Sequence, residues 1–489
     1  MQRITHDRPW PLFDIAATRR IEQVAAAQLP PHTLMQRAGL AVAQLVLAVA
    51  PHARTVWLAC GPGNNGGDGF EAAMHLKQWG KRPVVTWLGD EAAMPTDALA
   101  SLRRARNVGV TFATQPPGEW DAAIDALLGI GNMRPLDGIM ASWVTQLNAR
   151  PARQVVSVDI PSGLNADTGN AFGIGNGNAP CVRASQTLSR LSLKPGLFTA
   201  NGRDASGTVW RDDLGVTSIE EPGAWLGGPP ASTARLHASH KGSYGDVAVI
   251  GGASGMTGAA LLAASAALHG GAGRVFVALL DEGAMTVDAS HPELMFRRWD
   301  SLALAAMHVV CGCGGGDAVR AVLHTVLSTA RTLVLDADAL NELAVDSQLQ
   351  SLLRSRARRE GRATVLTPHP LEAARLLGSS AALVQGDRLA AARELAARFA
   401  CVVLLKGSGS VIAVPGQVPV INPTGNATLA SAGTGDVLAG MVVARLAGGA
   451  PAFDAAAVAA FAHGRAADNW PTGIVLTASA LARSAALIA

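Results

Sequence analysis

Residues 55–79 read Thr55-Val56-Trp57-Leu58-Ala59-Cys60, then Gly61-Pro62-Gly63-Asn64-Asn65-Gly66-Gly67-Asp68-Gly69-Phe70, then Glu71-Ala72-Ala73-Met74-His75-Leu76-Lys77-Gln78-Trp79. An apolar run, a glycine-rich turn and a stretch with helical spacing predict a strand, a loop and a helix. The same alternation spreads outward from this segment. Apolar runs at Val84–Leu88, Ala122–Leu128 and Val155–Ile160 alternate with helical stretches, and a helical stripe from Phe13 to Ala50 precedes them. This βαβα rhythm predicts an α/β fold with a mostly parallel, doubly wound sheet.

The rhythm stops between Asp212 and Arg235, in a segment rich in Gly, Pro, Ser and Glu. It restarts with Val247–Ile250, Val275–Leu280, His308–Cys311, Leu333–Leu335, Thr364–Leu366 and Val402–Leu405. Two α/β domains follow, at 1–215 and 236–489 with a linker at 216–235, and 489 residues suffice for both.

Lys+Arg 40 against Asp+Glu 37 leaves a formal charge of +3, with no basic tail or face to bind nucleic acid. Five scattered cysteines without CxxC spacing fit a reducing compartment and exclude a structural zinc. Asp7 and Asp14 stand where a signal peptide needs apolar residues, which predicts a cytoplasmic chain. The uncharged run Val247–Gly273 is long enough for a membrane span, but its glycines and His269 read better as a buried strand, a turn and an Ala/Leu helix. The arginines at 354, 356, 358, 359 and 362 are read as a solvated helix face.

In the first half, residues 61–66 satisfy GxGxxG between a strand and a helix, which suggests a dinucleotide site. Asp68 argues against a pyrophosphate seated on the helix N-terminus and suits a cation or a ribose hydroxyl better. Two further strands end alike: Asp125 leads to Gly129-Ile130-Gly131-Asn132-Met133-Arg134, and Asp159 to Pro161-Ser162-Gly163. The carboxyl ends of parallel strands form the ligand crevice, so Asn65, Asp125, Asp159 and Ser162 are expected to converge. Their all-oxygen donor set favours a hard cation over zinc, with one carboxylate left for acid/base work. Each aspartate alone would read as a turn former or cap; three strand-end motifs together favour a site.

In the second half, Asn422-Pro423-Thr424-Gly425-Asn426-Ala427-Thr428-Leu429-Ala430-Ser431-Ala432-Gly433-Thr434-Gly435-Asp436 runs into a helical stretch. The Gly-Thr-Gly turn aims backbone N–H groups at one point, an anion hole. Beside it, Asp436 could strip a proton from a hydroxyl while a phosphoryl group is transferred, or could simply cap the helix. Lys406-Gly407-Ser408-Gly409-Ser410 offers a lysine and small-residue backbone to nucleotide phosphates. His369 lies in a rigid turn, where a structural role is the ordinary one, and Asp336 and Asp338 add acids. No GxxxxGK[ST] motif occurs, so any nucleotide chemistry here is not that of a P-loop.

LMQRAG (34–39), CGPGNNGGDGF (60–70), DALLGIGNMRPL (125–136), VDIPSGLNADTG (158–169) and LKPGL (193–197) resemble the NAD(P)H-hydrate epimerase domain. The resemblance implies a Rossmann-like fold with potassium on Asn65, Asp125 and Ser162. It also implies substrate contacts from Asn64, Asn65, Gly66, Gly67, Asp68, Gly129, Ile130, Gly131, Asn132, Met133 and Arg134, with Asp159 as acid/base. The role of Lys194 is left open. HKGSYGDVAVIGG (240–252), TGAALLAASAALHGGAGRV (257–275), HPELM (291–295), LDADALN (335–341), TPHPLE (367–372), LKGSGS (405–410) and SAGTGDVLAG (431–440) are similar to the ADP- or ATP-dependent NAD(P)H-hydrate dehydratase domain, which is ribokinase-like. That similarity implies the hydrated nicotinamide nucleotide near Ala259, Gly314, His369 and Asp436. It also implies ADP or ATP, with magnesium, on Lys406, Gly407, Ser408, Gly409, Ser410 and Gly435.

One departure is visible: Gly312-Cys313-Gly314 stands where that family usually has Gly-Pro-Gly, which loosens the turn and weakens the Gly314 assignment. Together the resemblances imply a bifunctional, homo-oligomeric enzyme that repairs hydrated NADH and NADPH, epimerising R and S forms and dehydrating the S form. A vitamin-precursor kinase and a non-catalytic dinucleotide sensor are the alternatives.

Overall fold

Val56, Trp57, Leu58, Ala59 and Cys60 have no solvent exposure, as a central parallel strand covered on both faces requires. The computed structural model that shows this describes residues 1–131, 135–171, 180–230, 237–281 and 285–484. Two units form, Met1–Thr5 with Trp10–Ala224, and His6–Pro9 with the residues from Trp225 onward. Both are α/β, as expected.

The eight-stranded sheet of the first unit comprises β1 (Gln2–Arg3), β2 (Thr55–Cys60), β3 (Arg82–Trp87), β4 (Thr111–Ala113), β5 (Ala122–Ala126), β6 (Gln154–Val158), β7 (Gln186–Arg190) and β8 (Thr208–Asp212). They lie in the order β1-β8-β7-β6-β5-β2-β3-β4. All pairings are parallel except β1 with β8. The chain runs outward from β2 through β3 and β4, then returns to β5 on the other side of β2. That reversal opens a crevice at the carboxyl ends of β2 and β5. The helical stripe from Phe13 to Ala50 divides into α1 (Ile15–Gln28) and α2 (Thr33–Val49), because Pro30 and Pro31 interrupt it.

Helix α3 (Asn64–Gln78) begins inside the glycine loop. A methyl group on Gly66 would lie 2.1 Å from the Gly61 carbonyl oxygen, and one on Gly69 2.6 Å from Cys60 Sγ. Glycine is therefore needed at both positions for the helix to approach the strand, although it weakens a helix interior.

The strands of the second unit are β9 (Ala224–Leu226), β10 (Asp246–Gly251), β11 (Arg274–Leu279), β12 (Met295–Phe296), β13 (His308–Cys311), β14 (Thr332–Leu335), β15 (Thr364–Leu366), β16 (Val402–Leu405), β17 (Val411–Ala413) and β18 (Val420–Ile421). Their order is β12-β11-β10-β13-β14-β15-β16-β17-β18-β9. Pairing is parallel from β12 to β16 and antiparallel on both sides of β17. Again the first-laid central strand, β10, is flanked by the two chain directions, and the switch lies between β10 and β13.

Helices α4 (Thr257–His269) and α5 (Thr434–Ala447) pack closely through small residues. A methyl group on Gly440 would sit 2.1 Å from the Ala263 carbonyl oxygen. The uncharged run at 247–273 is thus a strand, a turn and a buried Ala/Leu helix. Among the described residues, no helix is long and apolar enough to cross a membrane.

One expectation holds only in part. The arginine cluster is a solvated face only in part: Arg358 and Arg359 are exposed, but Arg356 is buried and donates to the carbonyls of Ala330 at 2.5 Å and Arg331 at 2.8 Å and to Thr364 Oγ1 at 3.0 Å. Arg362 likewise binds the carbonyl of Ala330 at 3.0 Å. Arg356 and Arg362 satisfy the open end of a helix and the turn into β14, a tertiary demand that charge density along the chain does not reveal.

Candidate active sites

In the first unit the loops after β2, β5 and β6 meet at the sheet switch. A methyl group on Gly61 would collide with the Leu127 carbonyl oxygen at 1.8 Å, so the first two loops are in contact. Asp125, at the end of β5, is fully buried. It accepts bonds from Ser157 Oγ at 2.7 Å, Ser162 Oγ at 2.6 Å and the Ser162 N–H at 2.9 Å. Burial pushes its carboxyl up, opposed by these bonds. Ser162 Oγ in turn accepts from the Leu128 N–H at 2.9 Å. Asn65 is buried with both side-chain amide atoms unpartnered, and its Oδ1 lies 3.1 Å from the position of a methyl group on Gly129.

Asp159 follows β6 with φ of +70°, in the left-handed region that aspartate enters more readily than most non-glycine residues. Its side chain is buried and pairs with Lys194 Nζ, with the Arg190 N–H at 3.1 Å and with Arg190 Nη2 at 3.4 Å. Arg190, the last residue of β7, also pairs with buried Asp68 in the first turns of α3. The cation that Asp68 was expected to suit is therefore a side chain of the same unit.

A cavity of about 960 Å³ opens above these groups, lined among others by Asn64, Asn65, Asp68, Gly129, Ile130, Gly131, Asp159 and Arg190. Gly66 and Gly67 do not line it; Gly67 packs against Met35 and Ala98. Asn132, Met133 and Arg134 lie outside the described residues. Arg190 was missed in the sequence and Lys194 had no role. The available signal for Lys194 was that it is one of only five lysines in the chain.

In the second unit the loops after β13, β14, β15 and β16 meet the start of α5. Lys406 Nζ binds Asp336 Oδ1 at 2.7 Å and lies 3.9 Å from Glu372 Oε2. Asp336 also accepts from Thr367 Oγ1 at 2.8 Å. Burial would discharge the lysine, but Asp336 and Glu372 outweigh it and raise the ammonium's pKa. A methyl group on Gly435 would lie 3.3 Å from Lys406 Nζ, so the anion-binding turn and the lysine share one space.

The N-cap of α5 is Gly433, with φ of +87°, and Asp436 sits within the first turn. Burial, and then the charge of Asp336, push the Asp436 carboxyl up to about 6. The Cys313 sulfur and carboxylate oxygens of Asp336 and Asp436 all lie within 4.8 Å of one another. Burial pushes the Cys313 thiol well up.

His369 is the N-cap of the helix Pro370–Leu377. Its Nδ1 accepts from the N–H groups of Leu371 at 3.1 Å and Glu372 at 3.3 Å, and its Nε2 lies 3.2 Å from Glu372 Oε1. The structural role of this histidine is thus present in full. Burial, with help from Lys406, lowers its pKa, and burial pushes Glu372 up to about 7. Gly314, with φ of +57°, touches Ala259: a methyl group there would lie 2.9 Å from Ala259 Cβ. The loop from Lys406 to Ser410 is pinned by buried Arg388, which donates to the carbonyls of Leu405 at 3.3 Å and Lys406 at 3.1 Å. Arg388 was not singled out in the sequence, where a helical arginine has no distinguishing mark.

Residues 31–196 match the family model for the YjeF-related protein N-terminus, and residues 247–486 match that for NAD(P)H-hydrate dehydratase. The bifunctional NAD(P)H-hydrate repair enzyme Nnr of Escherichia coli is 37% identical over 477 residues, covering 92% of this chain and 88% of that one. The ADP-dependent (S)-NAD(P)H-hydrate dehydratase of Neisseria meningitidis is 45% identical over 247 residues, 49% of this chain and 82% of that one. The crystal structure of an ADP/ATP-dependent NAD(P)H-hydrate dehydratase from Bacillus subtilis, co-crystallised with ATP/Mg2+, is 30% identical with a TM-score of 0.44, covering 52% of this chain and 92% of that one. On the similarity that spans both units, the chain belongs to the family of bifunctional NAD(P)H-hydrate repair enzymes.

Proposed function

We propose that the chain repairs NADH and NADPH hydrated at C6 of the nicotinamide ring. Residues 1–215 interconvert the R and S epimers, with Asp159 moving the proton. Residues 236–489 dehydrate the S epimer with ADP or ATP as phosphoryl donor. There Asp436 takes the proton of the 6-hydroxyl as its oxygen attacks the terminal phosphorus, and the bond from phosphorus to the nucleotide breaks. The phosphate then leaves C6, and loss of a proton from C5 restores the reduced ring. Phosphate is a far better leaving group than hydroxide, which explains a kinase-like site that ends in a dehydration. Lys406 and the N–H groups at Gly435 stabilise the charge on the transferred group. Ala259, Gly314 and His369 are proposed to border the ring, and Lys406 to Ser410 the nucleotide phosphates.

Potassium is proposed at Asn65, Asp125 and Ser162. The unpartnered buried amide of Asn65 and the all-oxygen donor set support it. When bound, the ion neutralises Asp125 and ties three loops together. Magnesium would enter with the nucleotide and neutralise its phosphates, with Asp336 and Asp436 as the nearby carboxylates. A homo-oligomer is proposed on the family resemblance, and a reducing, cytoplasmic setting on five free cysteines.

The observation that carries the reading is the meeting of Lys406, Asp336, Asp436 and Gly435 at the start of one helix. Its test mixes the protein with hydrated NADH and ADP, ATP or neither, and follows absorbance near ~340 nm, where the reduced cofactor absorbs. Nucleotide-dependent recovery of absorbance is expected. A stable phosphorylated product without recovery would identify a kinase instead.

A further inference from the structure

Lys194 has no solvent exposure, and its ammonium touches Asp159 Oδ1, Ser189 Oγ at 3.3 Å and the Arg190 carbonyl at 2.8 Å. A buried ammonium has given up its water, so it stays charged only against a fixed counter-charge. That counter-charge is Asp159, the residue held in a left-handed backbone at the rim of the cavity. Arg190 holds the same carboxylate from β7 and pairs with Asp68 on α3. Charges thus alternate along Asp68, Arg190, Asp159 and Lys194, two negative and two positive. Glu22, on α1, also acts on both cations.

We propose that Lys194 is a positioning residue for epimerisation, fixing the Asp159 carboxylate through Oδ1 so that its remaining lone pairs face the cavity; this rests on the epimerase reading of the first unit. Lys194 keeps its own protons throughout. The proton that moves is taken and returned by Asp159. Arg190 and Asp68 brace the pair from the other side, which couples the glycine-loop helix to the reacting carboxylate.

The test is K194M in the full chain, a neutral side chain of similar length. A misplaced reacting group costs about a hundredfold in rate, so kcat for epimerisation should fall by about that factor while KM moves less than about threefold. Dehydration of the pure S epimer by the same preparation should be unchanged, which reports that the second unit is intact, and calorimetry of the first unit's melting reports that the first is folded.

Wild-type epimerisation by K194M would overturn the proposal, and so would a variant that loses through KM with kcat unchanged. Should K194M fail to fold its first unit, the D159N/K194M double variant decides, because it removes both buried charges. A double variant melting above K194M supports the pair; one no more stable than K194M overturns it. A wild-type chain that does not equilibrate the epimers overturns the epimerase reading itself, a result distinct from any obtained with the variants.

Discussion

Acidification should switch off dehydration well above the range where an ordinary aspartate protonates. The proposed base, Asp436, is pushed up to about 6 by burial and by Asp336, whereas a solvated aspartate titrates near ~3.9. Only the ionised fraction of a general base works. With a pKa of about 6, that fraction is near one at about pH 8, about a half at pH 6 and about a tenth at pH 5. Between pH 8 and pH 5, kcat/KM for the S epimer should thus fall about tenfold, while an ordinary aspartate would lose less than about a tenth of its activity.

Glu372, pushed to about 7 by burial, is the competing group, and it lies 3.9 Å from Lys406 rather than in the turn. E372Q should therefore retain a limb near 6, and D436N should lose nucleotide-dependent turnover altogether. The assay is the initial rate of absorbance recovery near ~340 nm from pure S epimer across this pH range. An acid limb near ~4 would refute the argument, as would D436N turning over at a rate comparable to wild type.

Asp159→Ala should slow R/S equilibration by roughly 100-fold or more, the usual weight of an acid/base group, yet spare turnover of pure S epimer; unchanged equilibration removes Asp159 from the mechanism. Gly66→Ala places a methyl group 2.1 Å from the Gly61 carbonyl oxygen, so the first unit should lose about 1–3 kcal/mol. Calorimetry should show its melting temperature falling while dehydration persists, and an unshifted melt would contradict the close helix–strand approach. Arg388→Met leaves the Leu405 and Lys406 carbonyls without their cationic donor. At ~1.5–3 kcal/mol for a charged hydrogen bond, KM for the nucleotide should rise about tenfold or more. Equal KM values would show that the loop holds its shape unaided.

The central strands were legible because they are buried on both faces and so carry continuous apolar runs. Thr55–Cys60, His308–Cys311, Thr364–Leu366 and Val402–Leu405 stand where the runs predict them. Gln186–Arg190 and Thr208–Asp212 were not read, since five short residues with polar members resemble a loop until neighbouring strands supply their hydrogen bonds. The glycine turns were legible as candidate sites, because several strand ends carried them together. Arg356 misled for the opposite reason: a charge cluster reads as solvated, and only the packing of a helix against the turn before β14 turns it inward.

Local sequence determined the two α/β halves and set glycine turns beside Asp159 and Asp436. Tertiary structure alone decided which charges face each other. Asp68 and Arg190 are 122 residues apart, and Lys406 and Asp336 are 70 apart. Periodicity and turn chemistry act over a few residues, whereas a buried ion pair is fixed by the register of strands and the closing of loops, which the whole sheet sets at once.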